Sequence, residues 1–314
     1  MPAYSRPDAL ARTLESLLSQ TYGSYALIIA DDAPTRESRE IVEAYGASHP
    51  LVHYEANATR LGMVDNWRRV FTRARQRYPG SEYFAWVSDH DLWHARWLEK
   101  MVAVLDTHPD VVLAYPENAR MRPEGTRPTR KSFETVGIRD RRDRLRHSAR
   151  HMLAGDMIYG LVRARALEQA GVFRRVITPD RQVLLALSLF GEVRQVPEVL
   201  WYREVLRPFD VTRQRAAFFP NGTPLYAYLP WHLQHWVTMF WDFGVCGRGA
   251  PVFGRWDGAR YSAVQLWWSV ARELERPKTG LRTLIARTKV GRWVLPGSPS
   301  VPDGDSDTPV SAEP

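Results

Sequence analysis

Tyr83-Phe84-Ala85-Trp86-Val87-Ser88-Asp89-His90-Asp91-Leu92-Trp93 decides the fold class of this 314-residue chain. Tyr83 to Val87 is apolar, aromatic and β-prone, which predicts a buried strand. The stretch turns polar at Ser88, where a strand would leave the core, and sets two carboxylates, Asp89 and Asp91, two residues apart. A helix is predicted from His94 to Thr107, because Trp97, Leu98, Met101, Val102 and Leu105 recur on one face. Open α/β sheets bind ligands at the carboxyl ends of their strands. Carboxylates at such a point either cap the next helix or hold a hard divalent cation that neutralises a diphosphate. The stretch alone leaves both open.

Outward from it, the pattern repeats. Tyr25 to Ala30 is an apolar strand ending on Asp31 and Asp32, and Leu51 to Glu55 is a shorter one. Helices are predicted from Asp8, as the cap, through Leu18, from Glu37 to Ser48, and from Val64 to Arg77. Met1 to Pro7 is too short and proline-rich to form a strand. Downstream come a strand at Val111–Tyr115, a strand and short helix within Met152–Gly171, a helix at Asp180–Phe190, and a strand at Val193–Arg203. Pro197 assigns that last strand to a sheet edge. Strands alternating with helices predict an α/β fold, a mostly parallel sheet covered by helices.

After about Leu206 the chain becomes aromatic and helical. Tyr226–Phe243 carries Trp236, Met239, Phe240 and Phe243 at helical spacing, and Ala259–Glu275 is expected to turn Trp267, Val270, Ala271 and Leu274 inward. Leu281–Leu295 is basic and amphipathic, which suits an anionic membrane surface or plain packing equally. Pro296–Pro314 has the composition of a disordered tail. The expected domains are 1–205, 206–295 and 296–314.

The net charge of +8 calls for an anionic partner. A lone cysteine, Cys246, excludes an internal disulfide and a cysteine-based zinc site. His232 and His235 stand three apart but lack a nearby acidic partner for a metal site. No apolar run is long enough to span a bilayer, and Met1 to Tyr4 lacks the charged and apolar regions of a signal peptide. No nucleic-acid motif is present, so charge and aromatics alone do not make a nucleic-acid binder.

Several pieces in order resemble the family 2 glycosyltransferases, inverting enzymes of the Rossmann-like GT-A fold. They are Pro2-Ala3-Tyr4-Ser5-Arg6, Leu14 to Tyr22, and Ile28-Ile29-Ala30-Asp31-Asp32-Ala33-Pro34-Thr35. Asn57, Arg60-Leu61-Gly62 and Asn66 follow, then Ser88 to Trp93, then Gly160-Leu161-Val162-Arg163, Asp180 and Gly191. The order and spacing are specific where each motif is weak. The resemblance covers roughly residues 1–205 and implies that this is the catalytic domain, with the aromatic-rich helical region following it.

The resemblance also assigns roles. Ala3, Tyr4, Arg6, Asp31, Arg60, Gly62, Asn66 and Asp89 would bind a nucleotide-sugar donor, with Asp31 accepting from the base. Asp89 and Asp91 match the family's Asp-x-Asp motif and would hold Mg²⁺ or Mn²⁺. Asp180 matches the base that activates the acceptor hydroxyl, and Trp93 and Gly160 would border a glycan or lipid-linked acceptor. His90 departs from the acidic residue common there, and Pro179-Asp180 from a frequent Glu-Asp. The expected location is cytoplasmic, with peripheral contact at the inner membrane face. A non-catalytic binding protein on the same scaffold is the alternative. In the family an apolar strand runs into Pro-x-Tyr, so a native product longer by about eight to twelve residues is expected.

Overall fold

A computed structural model describes residues 1–129, 131–152, 155–204, 210–219, 222–247 and 249–275. The expectations for Leu281–Leu295 and Pro296–Pro314 lie outside those residues. The first quarter of the chain forms β1 (Pro2–Ala3), α1 (Pro7–Leu18), β2 (Leu27–Asp31), α2 (Arg36–Gly46), β3 (Val52–Ala56) and α3 (Met63–Arg77). β1, β2 and β3 make a parallel sheet in that order. β2 is buried at every position, as its unbroken apolar run requires. Two sequence expectations fail here. Met1–Pro7 does supply a short strand, since Pro2 and Ala3 pair with Ala30 and Asp31. Asp8 is not the cap of α1: Arg6 holds that position without a side-chain bond, and Pro7 opens the helix.

The second sheet is mixed. It comprises β4 (Tyr83–Phe84), β5 (Leu92–Trp93), then, after α4 (Trp97–Thr107), β6 (Val111–Arg122) and β7 (Gly125–Thr129). After α5 (Arg141–His151) come β8 (Leu161–Arg163), α6 (Ala164–Ala170), α7 (Pro179–Leu187) and β9 (Glu192–Glu204). The strand order is β4-β8-β6-β9-β5, with β7 hairpinned onto β6. Only β6 and β9 run parallel. β9 is therefore not an edge strand. It lies between β6 and β5, and Pro197 sits in a bulge where the register jumps from Val196 to Val199.

The opening stretch thus makes two short strands joined by the carboxylate loop. Leu92 and Trp93 pair antiparallel with Tyr202 and Trp201. α4 starts only at Trp97 behind Arg96, so neither Asp89 nor Asp91 caps it.

Met1–Arg272 is one compact unit, so the aromatic helices pack with the sheets. These helices are α8 (Val211–Phe218), α9 (Trp231–Met239), a π-helical turn at Phe240–Val245, α10 (Ala250–Phe253) and α11 (Arg255–Glu275). α11 is turned from its expected facing: Trp267 is 70% exposed and Leu274 is exposed too, Val270 and Ala271 are only half-buried, and Gly258, Ser262, Gln265 and Ser269 are buried. Gly258 explains this, because a Cβ there would lie 2.0 Å from the Phe243 carbonyl oxygen. Close backbone approach at Gly258, with Tyr261, Val264 and Trp268 packed on the core, sets the inner face. A cavity of about 800 Å³ separates Leu27–Ile28 from Tyr83–Ala85 on the side away from the site. No described helix is long and apolar enough to cross a membrane.

Candidate active site

The site begins at the carboxyl end of β2. Asp31 is 1% exposed. It accepts from the Ala33 amide at 3.0 Å and from the Ser38 and Tyr54 hydroxyls, each at 2.9 Å. The cap of α2 is Thr35, in a reciprocal capping box with Ser38, so Asp31 is not a cap. Asp32 does work that sequence reasoning missed. Its carboxylate accepts from the Leu61 and Gly62 backbone amides at 2.7 and 2.8 Å and from the Asn57 side-chain amide at 2.9 Å. It thereby pins the Arg60–Gly62 loop. Gly62 has φ +83°, which favours glycine. Asn66 is buried, donates to the Ala30 carbonyl at 2.9 Å and accepts from Asn57, so it supports the same loop from below.

That loop carries Arg60 to β1. Its guanidinium lies 4.9 Å from the centre of the half-exposed Tyr4 ring. Ala3 is buried beneath, its carbonyl accepting from Asp32. Tyr4 donates its amide to Asp89 Oδ2 at 2.7 Å. The next residue, Ser5, holds φ +54°. Such a non-glycine conformation persists only where its surroundings enforce it.

The carboxylate loop lies against this corner. Asp89 Oδ1 is 2.7 Å from His90 Nδ1. Asp91 is 1% exposed and accepts from Trp201 Nε1 at 3.0 Å and from the Glu204 amide at 2.8 Å. Burial would lower the His90 pKa, but the Asp89 hydrogen bond and the Asp91 and Asp89 charges raise it above its ordinary value. Arg6 pairs with Glu204 at 2.8 Å, leaving its buried Nη1 without a partner. No group of three or more metal-ligating side chains occurs among the described residues.

Asp180 stands in the first turn of α7, behind Thr178 at φ +52°. Burial raises its pKa above the ordinary carboxylate value, against the backbone amides of Arg181 and Asp180 that lower it. Its carboxylate fills the place where Gly155 would carry a Cβ, 1.4 Å from Oδ2. Tyr159 feels the charges of both Asp180 and the carboxylate loop. Burial raises the Tyr159 pKa, and its hydroxyl feels the charges of Asp91, Arg203, Asp180 and Asp156. Asp156 and Arg203 pair at 2.7 Å. Tyr159 was not among the sequence candidates, because a lone tyrosine beside a glycine carries no local signal.

The two acceptor candidates, Trp93 and Gly160, are both buried. Trp93 is 3% exposed, in the core, with its ring 5.8 Å from Trp97. Gly160 is a packing glycine: a Cβ would lie 2.4 Å from the Ala114 carbonyl oxygen.

The family profile described as Glycosyl transferase family 2 matches residues 1–167. EpsE of Bacillus subtilis (strain 168), named as a glycosyltransferase, is 33% identical over 109 residues, 34% of this chain and 37% of EpsE. This chain therefore spans about a third of that relative's length. Among solved structures, S. aureus TarS 1–349 in complex with UDP superposes with TM-score 0.52 at 14% identity, over 94% of this chain and 79% of TarS 1–349. The mannosyltransferase PcManGT from Pyrobaculum calidifontis, in complex with GDP-Man and Mn²⁺, gives TM-score 0.50 at 15% identity, over 88% and 86%. At such identities the likeness shows the fold, that of the GT-A glycosyltransferases. With more than half of its residues inside the family profile, this chain belongs to glycosyl transferase family 2.

Proposed function

We propose that this protein transfers a sugar from a nucleotide-sugar donor to a glycan or lipid-linked acceptor with inversion, in a metal-dependent reaction. The observation that carries the proposal is Asp180, a half-buried carboxylate in the first turn of α7, behind the left-handed Thr178, with a pKa raised by burial. A base needs a pKa closer to the working pH than a free carboxylate has. Asp180 would take the proton of the acceptor hydroxyl as that oxygen attacks the anomeric carbon from the face opposite the leaving group. Asp31 would accept from the base of the donor. Tyr4 and Arg60 would flank the nucleotide, and Arg6, with one unsatisfied buried nitrogen, would meet the negative charge.

Asp89 and Asp91 fit Mg²⁺ or Mn²⁺ by chemistry: both are hard oxygen donors, with no thiolate nearby. Two carboxylates suffice for a cation that takes its remaining ligands from phosphates and water. When bound, the cation would neutralise charge on the leaving nucleoside diphosphate. UDP and GDP-Man are bound by the neighbours, so uridine and guanosine donors are the first to test.

One observation favours a binding protein without turnover. Both oxygens of Asp91 already accept protein hydrogen bonds. Release of nucleoside diphosphate from UDP- and GDP-sugars, with and without Mn²⁺, decides between the two. Turnover in wild type that Asp91→Ala abolishes supports the enzyme. Nucleotide binding with no release for any donor, with or without candidate acceptors, overturns it.

A further inference from the structure

The peptide that leads into Asp180 is held from outside its own element. The Ile177 amide donates to Gln234 Oε1 at 3.0 Å, and the Ile177 carbonyl accepts from His235 Nε2 at 2.8 Å. Both side chains come from α9, and they take the donor and the acceptor of one residue. The Thr178 amide donates to Gln214 Oε1 of α8 at 3.2 Å. Gln234 is anchored in turn, its amide donating to the Leu229 carbonyl at 2.7 Å. Gln234 is 3% exposed and His235 fully buried.

The held peptide is also strained. Thr178 keeps φ +52° and ψ +58°, a left-handed conformation that a β-branched residue adopts at a cost. Left to itself the turn would relax toward an ordinary conformation and swing the first turn of α7, which carries Asp180. Burial lowers the His235 pKa to about 3, so the ring is neutral and its Nε2–H donates to the Ile177 carbonyl. That fixed tautomer makes it a permanent donor across the working pH range. α9 grips the far side too: Arg181 lies over the Trp231 ring at 5.1 Å, and the His235 ring meets Trp231 at 5.1 Å.

We propose that Gln234 and His235 are positioning residues for the base: by clamping Ile177 they hold the left-handed turn at Thr178 and so set where the Asp180 carboxylate stands. This gives the aromatic helical region a function in catalysis, beyond covering the sheet, and it rests on the reading of Asp180 as the base. The His232–His235 pair is then not a metal site, because His235 faces a carbonyl.

The test compares wild type with Gln234→Leu, His235→Leu and His235→Gln. Glutamine can place an amide N–H where the imidazole Nε2–H stands. Three readouts are taken: kcat and KM for the UDP- or GDP-sugar that wild type turns over, affinity for UDP and GDP with Mn²⁺ by tryptophan fluorescence, and amide hydrogen exchange over residues 175–181. The Leu variants are expected to lose kcat by ten- to a hundredfold, with donor KM and nucleotide affinity unchanged. Exchange over 175–181 should quicken in them, and His235→Gln should restore both readouts. Wild-type exchange in both Leu variants overturns the clamp whatever the turnover. Loss of kcat and nucleotide affinity together, unrescued by His235→Gln, also overturns it, because that marks general disruption. If Asp180→Asn keeps wild-type turnover, the base reading fails instead, and with it the catalytic meaning of the clamp; exchange still reports whether the clamp exists.

Discussion

Asp180 has a folded-state pKa raised by burial. The folded protein therefore holds this proton more tightly than the unfolded chain. Its stability contribution is full below the ordinary carboxylate value of 3.8 and is lost as the pH rises through the raised folded value. At neutral pH the ionised group is a net cost to folding. Asp180→Asn should therefore melt at or above the wild-type temperature while transfer falls by on the order of 10² or more. A lower melting temperature with intact transfer would refute both halves. Gly155→Ala tests the same carboxylate by geometry. Its Cβ would lie 1.4 Å from Asp180 Oδ2, so the carboxylate must move. A displacement near 1 Å is worth on the order of 10² in rate, and donor binding should survive, as nucleotide titration would show. Asp91 behaves differently. Removing it also orphans Trp201 Nε1 and the Glu204 amide, each at a cost of about 1–3 kcal/mol. Asp91→Ala should thus lose stability as well as turnover, visible as a lower urea midpoint.

At the scale of elements, local pattern located most helices and strands but not their partners. β2 was legible because an unbroken apolar run fits only a strand buried on both faces. Asp31 and Asp89 were legible because they end such runs. Pro197 misled, since a proline excludes a central strand only where the ladder is regular, and here two residues bulge out of it. α11 misled because glycine at 258 lets two backbones meet, and that close approach helps set which face turns inward. The hydrogen bonds from Gln234 and His235 to Ile177 join residues from distant elements, which no window of sequence displays. Gly160, which the family resemblance offers as an acceptor residue, is also a packing position, where a Cβ would lie 2.4 Å from the Ala114 carbonyl oxygen. Gly160→Ala should cost about 1–3 kcal/mol, because a backbone oxygen cannot step aside. Its urea midpoint should fall with the slope unchanged.

Across the whole molecule, two sheets and two apolar clusters must unfold together or apart. The cluster around Leu14, Ile29 and Met101 lies with β2 and α4; that around Trp86, Phe173 and Leu185 lies with α3 and α7. The cavity of about 800 Å³ thins the contact between the sheets on one side. On the other side Tyr159 packs against both clusters. Its ring is 4.7 Å from Trp201 and 5.7 Å from Trp67. Its hydroxyl also feels the charges of Asp91 and Asp180. Tyr159 is therefore one of the side chains through which the two clusters are coupled. Wild-type urea unfolding should show coincident transitions by tryptophan fluorescence and far-ultraviolet circular dichroism. Tyr159→Phe should keep that coincidence, since the ring remains. Tyr159→Ala removes an aromatic ring from a packed interior, worth roughly 3–5 kcal/mol. If the ring is the bridge, the two probes should then separate, because one cluster can melt while the other stands. A Tyr159→Ala variant that loses stability yet keeps coincident transitions would place the coupling elsewhere in the interface.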